Sequence, residues 1–191
     1  SSISIGELAK SEAEEISFIY NQPLWLVNLW MNEMGKDKTI DLCAWFNEQP
    51  RLTARINTIK ISIEDCLKEL QDLGWTVEQD TYIPEVVYIN AHQGHLEKAK
   101  PVIDGHITFM DKASMLVAHV VDPQPGERIL DCCAAPGGKS MHMASLMNNT
   151  GAIMSCDIYD HKLDLMNHNA QRLGVSIVST KLQDGRYLPD N

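Results

Sequence analysis

The spacing of apolar positions along this chain changes period several times. From residue 24 to residue 34 the apolar side chains fall at helical intervals, with Leu26, Leu29, Trp30 and Met34 on one face. Pro23 stands where such a helix starts and Gly35 where it stops. A second helix is expected over residues 37 to 48, ahead of Pro50. Residues 53 to 59 alternate as a half-buried strand does, Ser62 and Asp65 form a helix-start pattern, and residues 64 to 73 return to helical spacing until Gly74. Residues 75 to 77 and 86 to 89 read as strands about a turn at Pro84, and residues 106 to 109 as a short strand. A helix over 111 to 121 is expected to lay Met115, Leu116, Ala118 and His119 against a sheet. After it come strand 128 to 131, helix 138 to 147, a turn at 148 to 151, strand 152 to 157, helix 160 to 173 and strand 176 to 182. Strand, helix, strand, helix, strand is half of a doubly wound parallel sheet.

The stretch after the first of these strands, Asp131-Cys-Cys-Ala-Ala-Pro-Gly-Gly-Lys139, sheds side-chain bulk where the backbone has to turn, and Pro136 stiffens the bend. A helix then begins, so the loop is expected to offer amides and a helix N-terminus to a ligand at the carboxyl end of a strand. Gly137 and Gly138 are adjacent, so the spacing G-x-G-x-x-G of a pyrophosphate cradle is missing. Acidic residues at two strand ends, Asp131 and Asp157, suit S-adenosylmethionine better: that cofactor carries no phosphate but has a cationic amino group and a ribose diol.

The same loop resembles the cofactor loop of the RNA cytosine-C5 methyltransferases, and most closely that of the Fmu/Sun (RsmB-like) ribosomal RNA branch. The likeness extends to residues 109 to 118 before the first strand, where the family more usually has Gln at the place of Met110. It also covers Pro125-Gly126, Asn169-Ala-Gln-Arg-Leu-Gly174 and Gln183-Asp-Gly-Arg-Tyr187. The resemblance implies an α/β chain in which the N-terminal half of a Rossmann-like, SAM-dependent methyltransferase sheet (residues 101–191) follows a small α+β RNA-positioning domain (21–100); the acidic residues 1–20 ahead of it read as a linker or tether helix. It implies that Cys133, Ala134, Ala135, Pro136, Gly137, Gly138 and Lys139 wall the methionine part of S-adenosylmethionine. Asp157 would take the ribose hydroxyls and Asp184 would lie near the adenine. Lys139 either faces the target cytosine or simply closes the loop. Arg51 and Arg55, the latter in an Arg-Ile-Asn triplet like the family's own, are the expected contacts to 16S ribosomal RNA; the competing reading is a solvated strand face with ordinary ion pairs.

Cytosine C5 is not nucleophilic, so a cysteine thiolate must first add to C6. The family's two cysteines lie in Pro-Cys and Thr-Cys motifs beyond the third strand. Neither dipeptide occurs in these 191 residues. No catalytic residue is therefore expected in this chain, which reads as an N-terminal part of a longer enzyme with the nucleophile beyond Asn191 and an unpaired edge on its first parallel strand. Two other readings share the pattern: a methyltransferase for a different substrate, and a ribosome-binding module that keeps the fold without the chemistry.

Composition narrows the partners. Sixteen Lys and Arg against 26 Asp and Glu give a net charge of −10, which argues against strong sequence-independent RNA binding unless the basic residues cluster. Five cysteines without C-x-x-C spacing point to a reducing compartment, the cytoplasm. No apolar run reaches membrane-span length, and the start lacks the parts of a signal peptide. His92 and His95 have no third ligand nearby in sequence, so a solvated turn is expected there and no metal site.

Overall fold

A computed structural model describes residues 9–187. The chain divides between Pro50 and Arg51 into two compact units. In the first, α1 (Glu12–Tyr20), α2 (Leu24–Met34) and α3 (Lys36–Phe46) follow one another with short turns. The Ser11 hydroxyl accepts from the Glu14 amide at 3.2 Å, and three glutamates in the first turn of α1 complement the helix dipole. The core is small: Ala13, Ile16, Val27 and Cys43, with Tyr20, Trp30, Met31 and Ile40 packed against it. The expected stripe on α2 is therefore displaced. Trp30 packs inward and stacks on Phe46 with ring centroids 5.6 Å apart, but Leu29 is exposed and Val27 is the wholly buried position. Three short helices bury only a narrow stripe, and the remaining apolar positions of α2 stay outside it. The tether expected over residues 1 to 20 is described only from residue 9, and the expectation tied to Asn191 lies outside the described residues.

The second unit holds two sheets. β1 (Leu52–Ile56), α4 (Ile63–Asp72), β2 (Thr76–Gln79), β3 (Val86–Ala91) and β4 (Ile107–Phe109) give a four-stranded antiparallel sheet of order β2-β3-β1-β4. That order, with α4 joining β1 to the far edge, is ferredoxin-like. The usual second helix is reduced to a 3₁₀ turn (Leu96–Lys98) and the single turn of α5 (Lys100–Ile103). β4 pairs antiparallel with β1, Ala54 opposite Phe109, and so completes the first sheet. Ile56, Leu70 and Ile107 are wholly buried in its core beside Trp75, each such aliphatic side chain stabilising by about 1.5–3 kcal/mol. Ser62 caps α4 through the Asp65 amide, as the sequence pattern requires.

α6 (Lys112–Val121) leads into β5 (Arg128–Asp131), α7 (Gly138–Leu146), β6 (Ala152–Asp157), α8 (Asp160–Leu173) and β7 (Val178–Leu182). The strands run parallel in the order β5-β6-β7, with Leu130 opposite Met154 and Met154 opposite Ser179. β5 is thus an edge among the described residues. The core under this sheet joins Ala118, Met141, Ala144, Met147, Ile153, Ala170 and Leu173. Of the α6 side expected to pack, Met115 and Ala118 are wholly buried and His119 is half-buried, whereas Leu116 is exposed. Leu116 follows Met115 by about 100° of helix turn and leaves the packed stripe.

Polar contacts fasten the two sheets to each other within this unit. Asn57 Nδ2 donates to the carbonyls of Gly105 and Leu173, each at 2.8 Å, and Arg172 Nη1 donates to the Val102 carbonyl at 2.7 Å. Gly105 has φ +73°, and a Cβ there would stand 2.2 Å from the Arg172 carbonyl oxygen, so only glycine permits this approach.

Candidate cofactor site

Parallel strands that end side by side with a bend between them leave a crevice at their carboxyl ends. Here that crevice has a volume of about 570 Å³ and is lined by Cys132, Cys133, Asp157, Ile158, Tyr159, Lys162, Asp184, Gly185 and Arg186. β5 contributes its exit, β6 contributes Asp157 and the two residues after it, and the turn after β7 contributes Asp184 to Arg186. Close approach of that last turn to β5 needs Gly185: a Cβ on it would meet Cys132 Cβ at 2.8 Å.

The bend itself is held from within. Cys133 N–H donates to Asp131 Oδ1 at 3.3 Å, Ala134 N–H to the Cys156 carbonyl at 2.9 Å, Ala135 N–H to Asp157 Oδ2 at 3.3 Å and Gly137 N–H to the Ala134 carbonyl at 2.7 Å. The Ala135–Pro136 bond is cis, and Gly137 takes φ +95° as the residue before α7. The expectation that the loop presents its amides to a ligand is therefore corrected for these four: each has a partner inside the protein. An anion cradle built from them is ruled out, which agrees with the missing G-x-G-x-x-G spacing. Asp131, expected to face the cofactor, is likewise engaged. Its Oδ2 accepts from Ser140 Oγ at 2.7 Å, so it ties β5 to α7.

Of the nine expected cofactor residues, Cys133, Asp157 and Asp184 line the crevice. Ala134, Ala135, Pro136, Gly137 and Gly138 form the bend beside it, and Lys139 is exposed on the first turn of α7. Asp157 is buried and its Oδ1 accepts from the Tyr159 amide at 3.2 Å, leaving each oxygen further lone pairs. The Arg186 guanidinium, bonded to Asp184 Oδ2 at 2.7 Å and backed by the Arg186 amide, holds the Asp184 carboxyl down at about 2. Sequence reasoning missed Ile158, Tyr159 and Lys162. The first two are exposed apolar and aromatic groups directly after the strand-end acid, and Lys162 Nζ lies 4.7 Å from the Tyr159 ring centroid.

Cys132 and Cys133 are the thiols among the crevice's lining residues. Cys43, Cys66 and Cys156 are buried, and burial, with Glu69 nearby, pushes the Cys66 thiol up to about 12. Arg51 is half-exposed at the first sheet's surface, its Nη2 2.6 Å from Glu78 Oε2 and its guanidinium 3.8 Å above the Tyr88 ring. Arg55 is a correction. Its side chain is wholly buried under α7, with Nη1 3.4 Å from Ser145 Oγ, so it presents nothing to a nucleic acid. His92 packs edge-on against Trp75, 6.0 Å between centroids. Among the described residues no helix is long and apolar enough to cross a membrane.

Comparison with known proteins agrees with this architecture part by part. Residues 118–191 match the family described as 16S rRNA methyltransferase RsmB/F, and residues 22–94 match the ferredoxin-like domain of RsmF/B-like methyltransferases. The chain is 34% identical over 87% of its length to the probable ribosomal RNA small subunit methyltransferase B of Bacillus subtilis, and 35% identical over 87% of its length to the protein of the same description from Synechocystis. It spans 37% of the length of each of these relatives. In fold, 92% of the chain superposes on 57% of a methyltransferase homologue from Pyrococcus horikoshii, with a TM-score of 0.83 at 24% identity. With the loop, the two sheets and both matched segments in agreement, the chain belongs to the RsmB/F-type, Fmu/Sun family of methyltransferases.

Proposed function

We propose that this chain is the cofactor-holding and RNA-positioning part of a SAM-dependent methyltransferase that acts on C5 of a cytosine in 16S ribosomal RNA. The observation that carries the reading is the crevice at the ends of β5, β6 and β7, with two carboxylates on its walls, beside a bend four of whose amides are held within the protein. Those four amides form no phosphate cradle, whereas a ribose diol and an adenine amino group are donors that the two acids accept from. S-adenosylmethionine supplies an electrophilic methyl group when bound. Asp157 takes the ribose hydroxyls, Ile158 and Tyr159 offer the base an apolar face, and Asp184, pinned by Arg186, stays ionised to accept a hydrogen bond. The side chain of Arg51 is the chain's contact to RNA at the outer surface of the first sheet, and Lys139 lies where the bend meets α7. The thiolate step needs a cysteine that these residues do not supply in Pro-Cys or Thr-Cys form. A reducing cytoplasm suits five free thiols.

Saturation-transfer NMR with S-adenosylhomocysteine tests the site. Wild-type protein is expected to give ribose and adenine signals with weak affinity, and Asp157→Ala to lose them. Signals that survive Asp157→Ala unchanged, or an adenine-free ligand that competes equally well, would move the cofactor elsewhere.

A further inference from the structure

Outside the crevice, a buried polar cluster joins three elements of the second unit. Glu85 lies just before β3, and its carbonyl accepts from the Ile56 amide at 2.7 Å, which fixes it to β1. Its Oε1 accepts from His119 Nε2 on α6 at 2.5 Å and from His142 Nε2 on α7 at 2.7 Å. The His142 side chain is 0% exposed and that of Glu85 9%. These donors and the acceptor lie within 4.8 Å of one another, the reach of a metal site. Two facts favour a hydrogen-bonded cluster over a metal site. Ligands at about 2.0–2.1 Å from one tetrahedral ion stand about 3.3 Å apart, whereas the observed contacts have direct hydrogen-bond lengths. In addition, the buried Arg55 guanidinium contacts Ser145, one turn along α7 from His142, and opposes a second cation.

α7 begins at Gly138 with no capping side chain on Gly137, so its first turns must be placed by other contacts. Ser140 reaches back to β5, and His142 reaches across to the other sheet. We propose that Glu85 and His142 are positioning residues for the cofactor bend: their hydrogen bond seats the start of α7, and with it residues 133 to 138, against the ferredoxin-like sheet. The proposal rests on the crevice being the SAM site.

Hydrogen exchange on the unliganded protein tests the brace without the cofactor. His142→Leu, similar in volume but without the donor, is expected to speed exchange of α7 amides by about tenfold and leave α4 amides unchanged. His142→Gln, whose Nε2 can donate to the same oxygen, is expected to restore protection. Should His142→Leu fail to fold, Glu85→Met, of similar shape and without the carboxylate acceptor, takes its place in the same experiment, with Glu69→Met at the separate His106 pair as control. Affinity for S-adenosylhomocysteine is expected to fall about tenfold in His142→Leu and to recover in His142→Gln. Wild-type exchange in α7 of the Leu variant, or Gln no better than Leu, overturns the proposal. A Zn²⁺-dependent rise in melting temperature that the Leu variant lacks also overturns it, in favour of a metal site. Normal exchange results with no ligand signal in wild type would sink the crevice reading and leave the brace standing as architecture.

Discussion

Ser140 Oγ donates to Asp131 Oδ2 at 2.7 Å and accepts from Ser155 Oγ at 2.8 Å. One hydroxyl thus links the end of β5, the first turn of α7 and the middle of β6, and both serines are wholly buried. Ser140→Ala strands the Ser155 hydroxyl and strips Asp131 of a partner. The expected cost is about 1–3 kcal/mol of unfolding free energy, read from urea denaturation. A change below about 0.3 kcal/mol would show that the link carries no stability.

The two adjacent glycines of the bend are not equivalent. Gly137 takes φ +95°, and a Cβ on it would press to 3.1 Å from Met166 Cγ and 3.4 Å from Met141 Cε. Gly138 is helical, and its Cβ would make ordinary contact with Met110 Sδ at 3.6 Å. Gly137→Ala is expected to lower stability by about 1–3 kcal/mol, whereas Gly138→Ala is expected to be neutral or stabilising by up to about 1 kcal/mol because alanine favours a helix. Equal melting temperatures for the two variants would contradict the backbone argument.

These contrasts show what a linear pattern can carry. Strands 128 to 131 and 152 to 157 and helix 160 to 173 fall where their apolar runs and turn residues put them, because parallel strands and the helix over them bury continuous local stretches. The bend was legible for the same reason: small residues, one proline and a strand-end acid stand in a row. Arg55 was not. Alternation assigns it a face of β1, but nothing near it in sequence says that α7, ninety positions later, covers that face. Glu85, His119 and His142 meet only through tertiary packing, and no spacing among them signals the hub. Ile158, Tyr159 and Lys162 look like an ordinary turn and helix start until three strand ends are brought together.

Arg51 and Arg55 separate binding from stability. Arg51→Ala removes an exposed ion pair and one cation–π contact, so stability is expected to change by no more than about 1 kcal/mol. If Arg51 touches a phosphate, rRNA affinity falls and the slope of log K against log salt shrinks by about 1. Arg55→Ala removes a buried charge that faces Glu85, and burial already holds Arg55 at about 10. It is expected to cost about 3–5 kcal/mol in stability with no change in salt slope. An unchanged affinity and slope in Arg51→Ala would leave the RNA contact to other residues.

Acid should unfold the second unit in two stages set by the same hub. Burial holds His142 below its ordinary 6.5, so the fold prefers the neutral ring; that stability is full above 6.5 and declines as pH falls below it. For Glu85, burial raises the carboxyl, but the N–H donors of His142, its own backbone and His119 outweigh it and bring it to about 2. The Glu85 contribution is therefore full above 4.5 and is lost as pH drops from there through about 2. Urea midpoints measured between pH 8 and pH 3 are expected to fall first below about 6.5 and again below about 4.5. Glu85→Gln has no carboxyl to protonate, so its curve should lack the hub's share of the lower step. A variant whose midpoints track wild type across both steps would place the acid sensitivity in other carboxylates, Asp80 with its Lys112 and Tyr88 partners first among them.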